Sequence, residues 1–184
     1  FGHLDDLMEK AGIDVLLATS KHNVQYLLGG YRFIFFSAMD AIGHSRYLPI
    51  VAYIKGAPEK TVYVANKMEG MEHANRPFWT PHFFPVAWGT RDAMAQAIKH
   101  LKAEGPASPR IGIEPGFLPL DAARDLEAAY SNAPLVDACG VLERLRAVKS
   151  PKELAMLKDA SERISASMQA TVGWAREGST KKEI

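Results

Sequence analysis

Short apolar runs alternate along this chain with amphipathic stretches, and the two periods predict its elements. In residues 4–11 the side chains of Leu4, Leu7, Met8 and Ala11 fall on one helical face, with Gly12 as the stop. Residues 15–18, Val-Leu-Leu-Ala, read as a buried strand. Ser20 can cap a short helix carrying Val24, Leu27 and Leu28, which the Gly29-Gly30 pair ends. Residues 31–46 then form an aromatic-rich loop. Two β-branched and aromatic runs, 47–54 and 61–65, flank a polar connection containing Gly56 and Pro58, which predicts a hairpin. Residues 82–87 read as a fourth strand, and Thr90 is the expected cap of a helix whose Met94, Ala97, Ile98 and Leu101 share a face before Gly105. A fifth strand at 110–114, a helix at 120–130 and a sixth strand at 135–137 complete the pattern. Six strands interleaved with helices imply an α/β fold, and the hairpin makes the sheet a mixed one.

The last part of the chain differs. Ser150-Pro151-Lys152-Glu153 combines an N-cap Ser, Pro at the first helical position and Glu at the third, so a long helix is expected from there. Leu154, Leu157, Ala160, Ile164, Met168, Thr171 and Ala175 recur every three or four residues until Gly178. Thr180-Lys181-Lys182-Glu183 repeats the capping pattern at the end of the sequence, which is the expected start of a further helix and hence of a truncated second domain.

Composition removes several function classes. The 184 residues carry 22 Lys and Arg against 21 Asp and Glu, a formal charge of +1, so neither nucleic acid nor an anionic membrane is an expected partner. The longest strongly apolar run, 47–54, falls far short of the roughly 20 residues that span a bilayer. A single Cys139 allows no internal disulfide and no Cys/His zinc spacing, and the first residues lack the basic and apolar regions of a signal peptide. The expected location is cytoplasmic.

No catalytic motif emerges from the residues themselves. HExxH, GxSxG, GxxxxGK[ST] and a strand-linked GxGxxG are all absent, and the glycine of Ile111-Gly112-Ile113-Glu114 lies inside a strand. His3, His22, His44, His73, His82 and His100 occur singly, without the helical spacing that pairs two metal ligands. Asp121 and Asp125 are one turn apart and read as a solvated face beside Arg124, while Asp5 and Asp6 complement a helix dipole. Tyr31, Phe33, Phe35, Phe36 and Tyr47 crowd with Arg32 and Arg46, too many aromatic rings for an ordinary exposed loop; their own core, another subunit and a ligand are the three surfaces they could meet. Trp79, Phe83, Phe84 and Trp88 read as core and strand-end packing.

Several segments resemble, in order and spacing, the N-terminal domain of the creatinase/prolidase/aminopeptidase P family. They are Gly12-Ile13-Asp14-Val15-Leu16-Leu17, Asn23-Val24-Gln25-Tyr26-Leu27 with Gly29, Arg110-Ile111-Gly112-Ile113-Glu114, and Leu135-Val136-Asp137 leading into Leu145-Arg146-Ala147-Val148-Lys149-Ser150-Pro151-Lys152-Glu153. The resemblance implies a six-stranded mixed sheet flanked by helices over 1–149. Residues 150–184 are then the linker and first helix of a missing pita-bread catalytic domain. It implies a non-catalytic domain of an Xaa-Pro dipeptidase- or aminopeptidase-like metallohydrolase, with a creatinase-like amidinohydrolase or a stand-alone binding or dimerisation module as alternatives. In the family's peptidases two divalent ions, Mn, Co or Zn, are held by two Asp, one His and two Glu of the catalytic domain, so residues 1–184 are expected to carry neither catalytic residue nor cofactor. A homodimer is expected, with this domain narrowing access to a neighbouring subunit's active site. His44 and Arg46, just before the second strand, are the candidate substrate-access residues by that resemblance.

Overall fold

The computed structural model describes residues 2–34 and 47–183. It divides into two units, residues 1–146 and 147–184. In the first, α1 (Gly2–Ala11), β1 (Val15–Ala18), α2 (Lys21–Leu27), β2 (Ile50–Ile54), β3 (Val62–Asn66), α3 (Gly70–Asn75), β4 (His82–Ala87), α4 (Thr90–Glu104), β5 (Ile111–Ile113), α5 (Leu120–Ala129), β6 (Leu135–Asp137) and α6 (Cys139–Ala147) follow one another. The strands make one six-stranded sheet in the order β4-β3-β2-β1-β5-β6. The pairs β1/β2 and β2/β3 are antiparallel, whereas β1/β5, β5/β6 and β3/β4 are parallel, so the sheet is mixed as expected and β2–β3 is its hairpin.

Both faces of the sheet are covered, which is why its central strands read as unbroken apolar runs. In β1, Leu16 and Ala18 face a cluster with Leu4, Leu7 and Met8 of α1 and Val141 and Leu142 of α6. Val15 and Leu17 face the other side, with Ala93, Met94, Ala97 and Leu101 of α4 and Ala122 and Leu126 of α5. β2 splits the same way, Val51 and Tyr53 to one face and Ile50, Ala52 and Ile54 to the other, as the two-residue period of a strand requires. Gly112 is the point of closest approach on the α1 side. A Cβ there would stand 2.9 Å from Ile13 Cδ1 and 3.0 Å from Ala138 Cβ, so only glycine lets β5 lie against them.

Three local readings change. The cap of α4 is not the Thr90 hydroxyl: Gly89 is the N-cap residue and the Asp92 carboxylate accepts from the Trp88, Gly89 and Ala93 N–H groups at 2.7, 2.8 and 3.0 Å. Thr90 instead donates to Asp121 Oδ2 of α5 at 2.6 Å. Asp5 does more than complement the α1 dipole, since its Oδ1 accepts from Tyr53 Oη at 2.8 Å and from the Gly56 N–H at 2.9 Å. The short helices α3 and α6 do not follow from the apolar pattern used above, and the second strand begins at Ile50 rather than at 47.

In the second unit, α7 (Pro151–Trp174) starts on the expected capping box, with Ser150 and Glu153 bonding reciprocally. It carries the i,i+4 ion pairs Lys158–Glu162 and Asp159–Arg163. Its apolar Leu154, Leu157, Ile164, Met168 and Val172 are exposed.

Candidate functional site

The parallel neighbours β1 and β5 end at the same edge of the sheet. Beyond β5, Glu114 is fully buried, and its position there is fixed by groups from the start of α2. Glu114 Oε2 accepts from the Thr19 and Ser20 N–H groups at 2.6 and 2.9 Å, and Oε1 accepts from Asn23 Nδ2 at 2.6 Å. A buried carboxylate needs such donors to offset its desolvation. The bridge ties the turn after β1 to the turn after β5 and shapes the floor of a cleft.

That cleft, about 520 Å³, is lined by Thr19, Ser20, Lys21, His22 and Gln25 from the first turn and helix, Arg32, the 47–49 approach to β2, and Phe117 and Pro119 beyond β5. Clefts at the carboxyl ends of parallel strands are where open α/β sheets bind ligands. Among the described residues this lining is basic and hydrogen-bonding, with no acidic residue on it, and suits a small anionic group. Among the described residues it shows no acyl-transfer machinery. Ser20 Oγ is 3.4 Å from His22 Nε2, but the same oxygen caps α2 by accepting from the Asn23 N–H, and the imidazole lies edge-on to Phe117 rather than against a carboxylate.

Tyr47, on the cleft wall, leads to a second buried acid. Glu69 closes a single 3-10 turn after β3, where Asn66 and Glu69 form a capping box. Besides accepting from the Asn66 N–H at 2.9 Å, its carboxylate accepts from three phenols: Tyr47 on Oε1, and Tyr31 and Tyr63 on Oε2 at 2.9 and 2.6 Å. Burial raises the Glu69 pKa above the ordinary carboxylate value, against the pull of these donors. Burial first, and then the charge of Glu69, hold Tyr31 and Tyr47 far above the usual phenol range, and Tyr63 is raised for the same leading reason. Phe78 packs edge-on to Tyr31 and Tyr63 at 4.6 and 5.3 Å, and Phe33 lies 6.2 Å from Tyr47. Of the three surfaces open to the aromatic loop, Tyr31, Phe33 and Tyr47 take their own core.

Residues 2–148 match the family described as the Creatinase/Prolidase N-terminal domain. The chain belongs to that family. It is 28% identical over 182 residues to creatinase from Bacillus sp. strain B-0618, covering 98% of this chain and 41% of the relative. The Xaa-Pro dipeptidase of Bacillus anthracis has a similar structure, with a TM-score of 0.69 and 19% identity over 95% of this chain and 42% of that one. The prolidase of Thermococcus sibiricus superposes with a TM-score of 0.69 and 16% identity, over 98% of this chain and 45% of that one. At such identities the two structures speak for a shared fold. The chain spans about two fifths of the length of the creatinase and the dipeptidase it matches.

Within this creatinase/prolidase N-terminal domain the candidates His44 and Arg46 lie outside the described residues, as do Phe35 and Phe36. Among the described residues no three His, Cys, Asp or Glu side chains gather into a metal-holding group. The donor set of two Asp, one His and two Glu implied by the family's peptidases has no counterpart among the described residues. The structure does bring His82 and His100 together, with ring centroids 4.8 Å apart, although they come from β4 and α4 and no sequence spacing joins them. His100 is already engaged, its Nε2 2.8 Å from the Lys60 carbonyl oxygen. On the solvated face of α5, Asp125 accepts from Arg91 through exposed bonds of 2.8 and 2.9 Å. Trp88 is the exposed member of that group, whereas Trp79 keeps more than half of its surface covered and donates its Nε1–H to the Leu27 carbonyl oxygen at 2.6 Å, and Phe83 stacks on His73 at 4.3 Å. Sequence reading missed Glu69 and Glu114, the two fully buried acids among the described residues. Their signal was weak: a Glu three residues after Asn66, and a Glu closing an apolar strand.

Proposed function

We propose that residues 1–149 are the non-catalytic N-terminal domain of a longer Xaa-Pro dipeptidase- or aminopeptidase-like metallohydrolase, and that 150–184 open its catalytic domain. The observation that carries this reading is the family match over residues 2–148 in a chain spanning about two fifths of its relatives. In this reading the domain contributes to a homodimer and restricts access to a neighbouring active site, with His44 and Arg46 on the access side. The basic cleft beside Arg32 and Tyr47 supports that placement, because those two residues bracket the segment containing both candidates. Two divalent ions, Mn, Co or Zn, belong to the catalytic domain in this reading. A cytoplasmic location accords with the lone Cys139, and among the described residues no helix is long and apolar enough to cross a membrane.

A creatinase-like amidinohydrolase is the second reading. It is favoured by the 28% identity to creatinase along almost the whole chain. The deciding experiment assays the whole protein, after chelation and after return of Mn²⁺ or Co²⁺, on Xaa-Pro dipeptides and on creatine. Metal-dependent Xaa-Pro hydrolysis, with the 184-residue chain inactive, is expected. Creatine hydrolysis that survives chelation would establish the second reading, and activity in the 184-residue chain itself would overturn the non-catalytic assignment.

A further inference from the structure

We propose that the cleft at the carboxyl ends of β1 and β5 binds a small organic oxyanion, with Arg32 and His22 on its charged head and Phe117 against its apolar body. A cavity of about 520 Å³ exceeds the needs of a lone inorganic ion and lies in the range of small-molecule sites. Arg32 and His22 stand on its wall with the hydrogen-bonding side chains of Thr19 and Gln25. Glu114, in the floor, already accepts three donors on its two oxygens, so its charge is taken up beneath the cleft. Arg32 is exposed, and no acid among the described residues pairs with it. Its planar fork matches a carboxylate or a phosphoryl head in two parallel bonds. Thr19 is a second pointer to a ligand. It is 4% exposed and lines the cleft, yet its hydroxyl oxygen has no hydrogen-bond partner among the described residues, and native interiors leave few such groups unpaired. Phe117 supplies the apolar side: it is half-exposed, and its ring centroid lies 5.2 Å from that of His22. An anion carried on a ring can therefore cover Phe117 while its head reaches the basic wall. Every lining residue belongs to the first unit, so the site is open to test in the 184-residue chain whatever the longer protein catalyses.

The test titrates the 184-residue chain by calorimetry with four probes: benzoate and phenyl phosphate, which carry an oxyanion on a ring, acetate, which lacks the ring, and benzylamine, which reverses the charge. Benzoate or phenyl phosphate should bind with a Kd below about 1 mM, acetate several-fold more weakly, and benzylamine not at all. The tighter of the two ring anions identifies the head as carboxylate or phosphoryl. Arg32→Ala should weaken that anion about ten-fold, as the loss of a charged hydrogen-bonding partner does. Lys99→Ala, which removes an exposed cation of α4 outside the lining, should leave the affinity unchanged. Phe117→Ala should bring the ring anion down to the affinity of acetate. Thr19→Val keeps the shape of the side chain and removes an unpaired hydroxyl, so it should weaken binding several-fold without lowering the thermal midpoint. Failure of both ring anions to bind, equal binding of benzylamine, or equal losses in Arg32→Ala and Lys99→Ala overturns the proposal. Unaltered affinity in Phe117→Ala overturns the contact with an apolar body.

Discussion

At the scale of single residues, the two buried carboxylates show how tertiary partners decide what an acid does. Glu69 binds its proton more tightly in the folded chain than in the unfolded one, because burial raises its pKa. The sign follows: its contribution to stability is fully present below the ordinary glutamate pKa and is lost as pH rises through the raised folded value. Glu69→Gln removes that titration and keeps an acceptor oxygen. Relative to Glu69→Gln, the natural chain should therefore lose stability as the pH is raised across this window and then level off. Urea unfolding at a series of pH values measures it, and a constant difference between the two chains would contradict the direction. None of this was legible in the sequence. Asn66 and Glu69 are visible as a capping pair, but Tyr31 lies 38 residues from Glu69, and the Thr19 and Ser20 amides lie 95 and 94 from Glu114. Such partners are set by which strands become neighbours, and a periodicity search sees only one strand at a time.

Elements were more legible because both faces of the sheet are buried, so central strands announce themselves as apolar runs and helices by their single apolar stripe. What local pattern could not settle was which of two polar residues, Thr90 or Asp92, does the capping of α4. Thr and Asp are both favoured cap residues, but Asp92 reaches back to the Trp88 and Gly89 N–H groups, accepts from its neighbour Ala93 as well, and leaves Thr90 inside the first turn. Asp92→Ala should then destabilise the domain by about 1 kcal/mol, the usual cost of a lost cap, and Thr90→Val by clearly less, since its bond to Asp121 is solvent-exposed. Denaturant midpoints at constant slope provide the comparison, and a larger loss in Thr90→Val would return the cap to Thr90. The helix α6 went unread for a related reason. Only Val141 and Leu142 of its nine residues are buried, and its start is fixed by Asp137 accepting from the Cys139 N–H at 2.8 Å, which lies outside the helix proper.

For the whole molecule, the most legible feature was the junction at Ser150-Pro151, whose capping box is complete within four residues and owes nothing to distant partners. The apolar clusters of the first unit are drawn from residues no further along than Leu145, whereas α7 buries no residue. A chain ending at Lys149 should therefore keep the thermal midpoint of the 184-residue chain to within about 3 °C, because little of the surface buried on folding is lost. Its helical circular dichroism should fall by the share of the 24 residues of α7. The same truncation reads out association. Leu154, Leu157, Ile164, Met168 and Val172 recur on α7 at helical spacing and are all exposed, and a helix of this length gains most of its stability from packing such a face. A second copy of the helix supplies a matching face, so light scattering should find a dimer for the 184-residue chain and a monomer for the one ending at Lys149. A dimer in both would move the contact into the α/β unit, and a lowered midpoint in the shorter chain would show that α7 supports that unit after all.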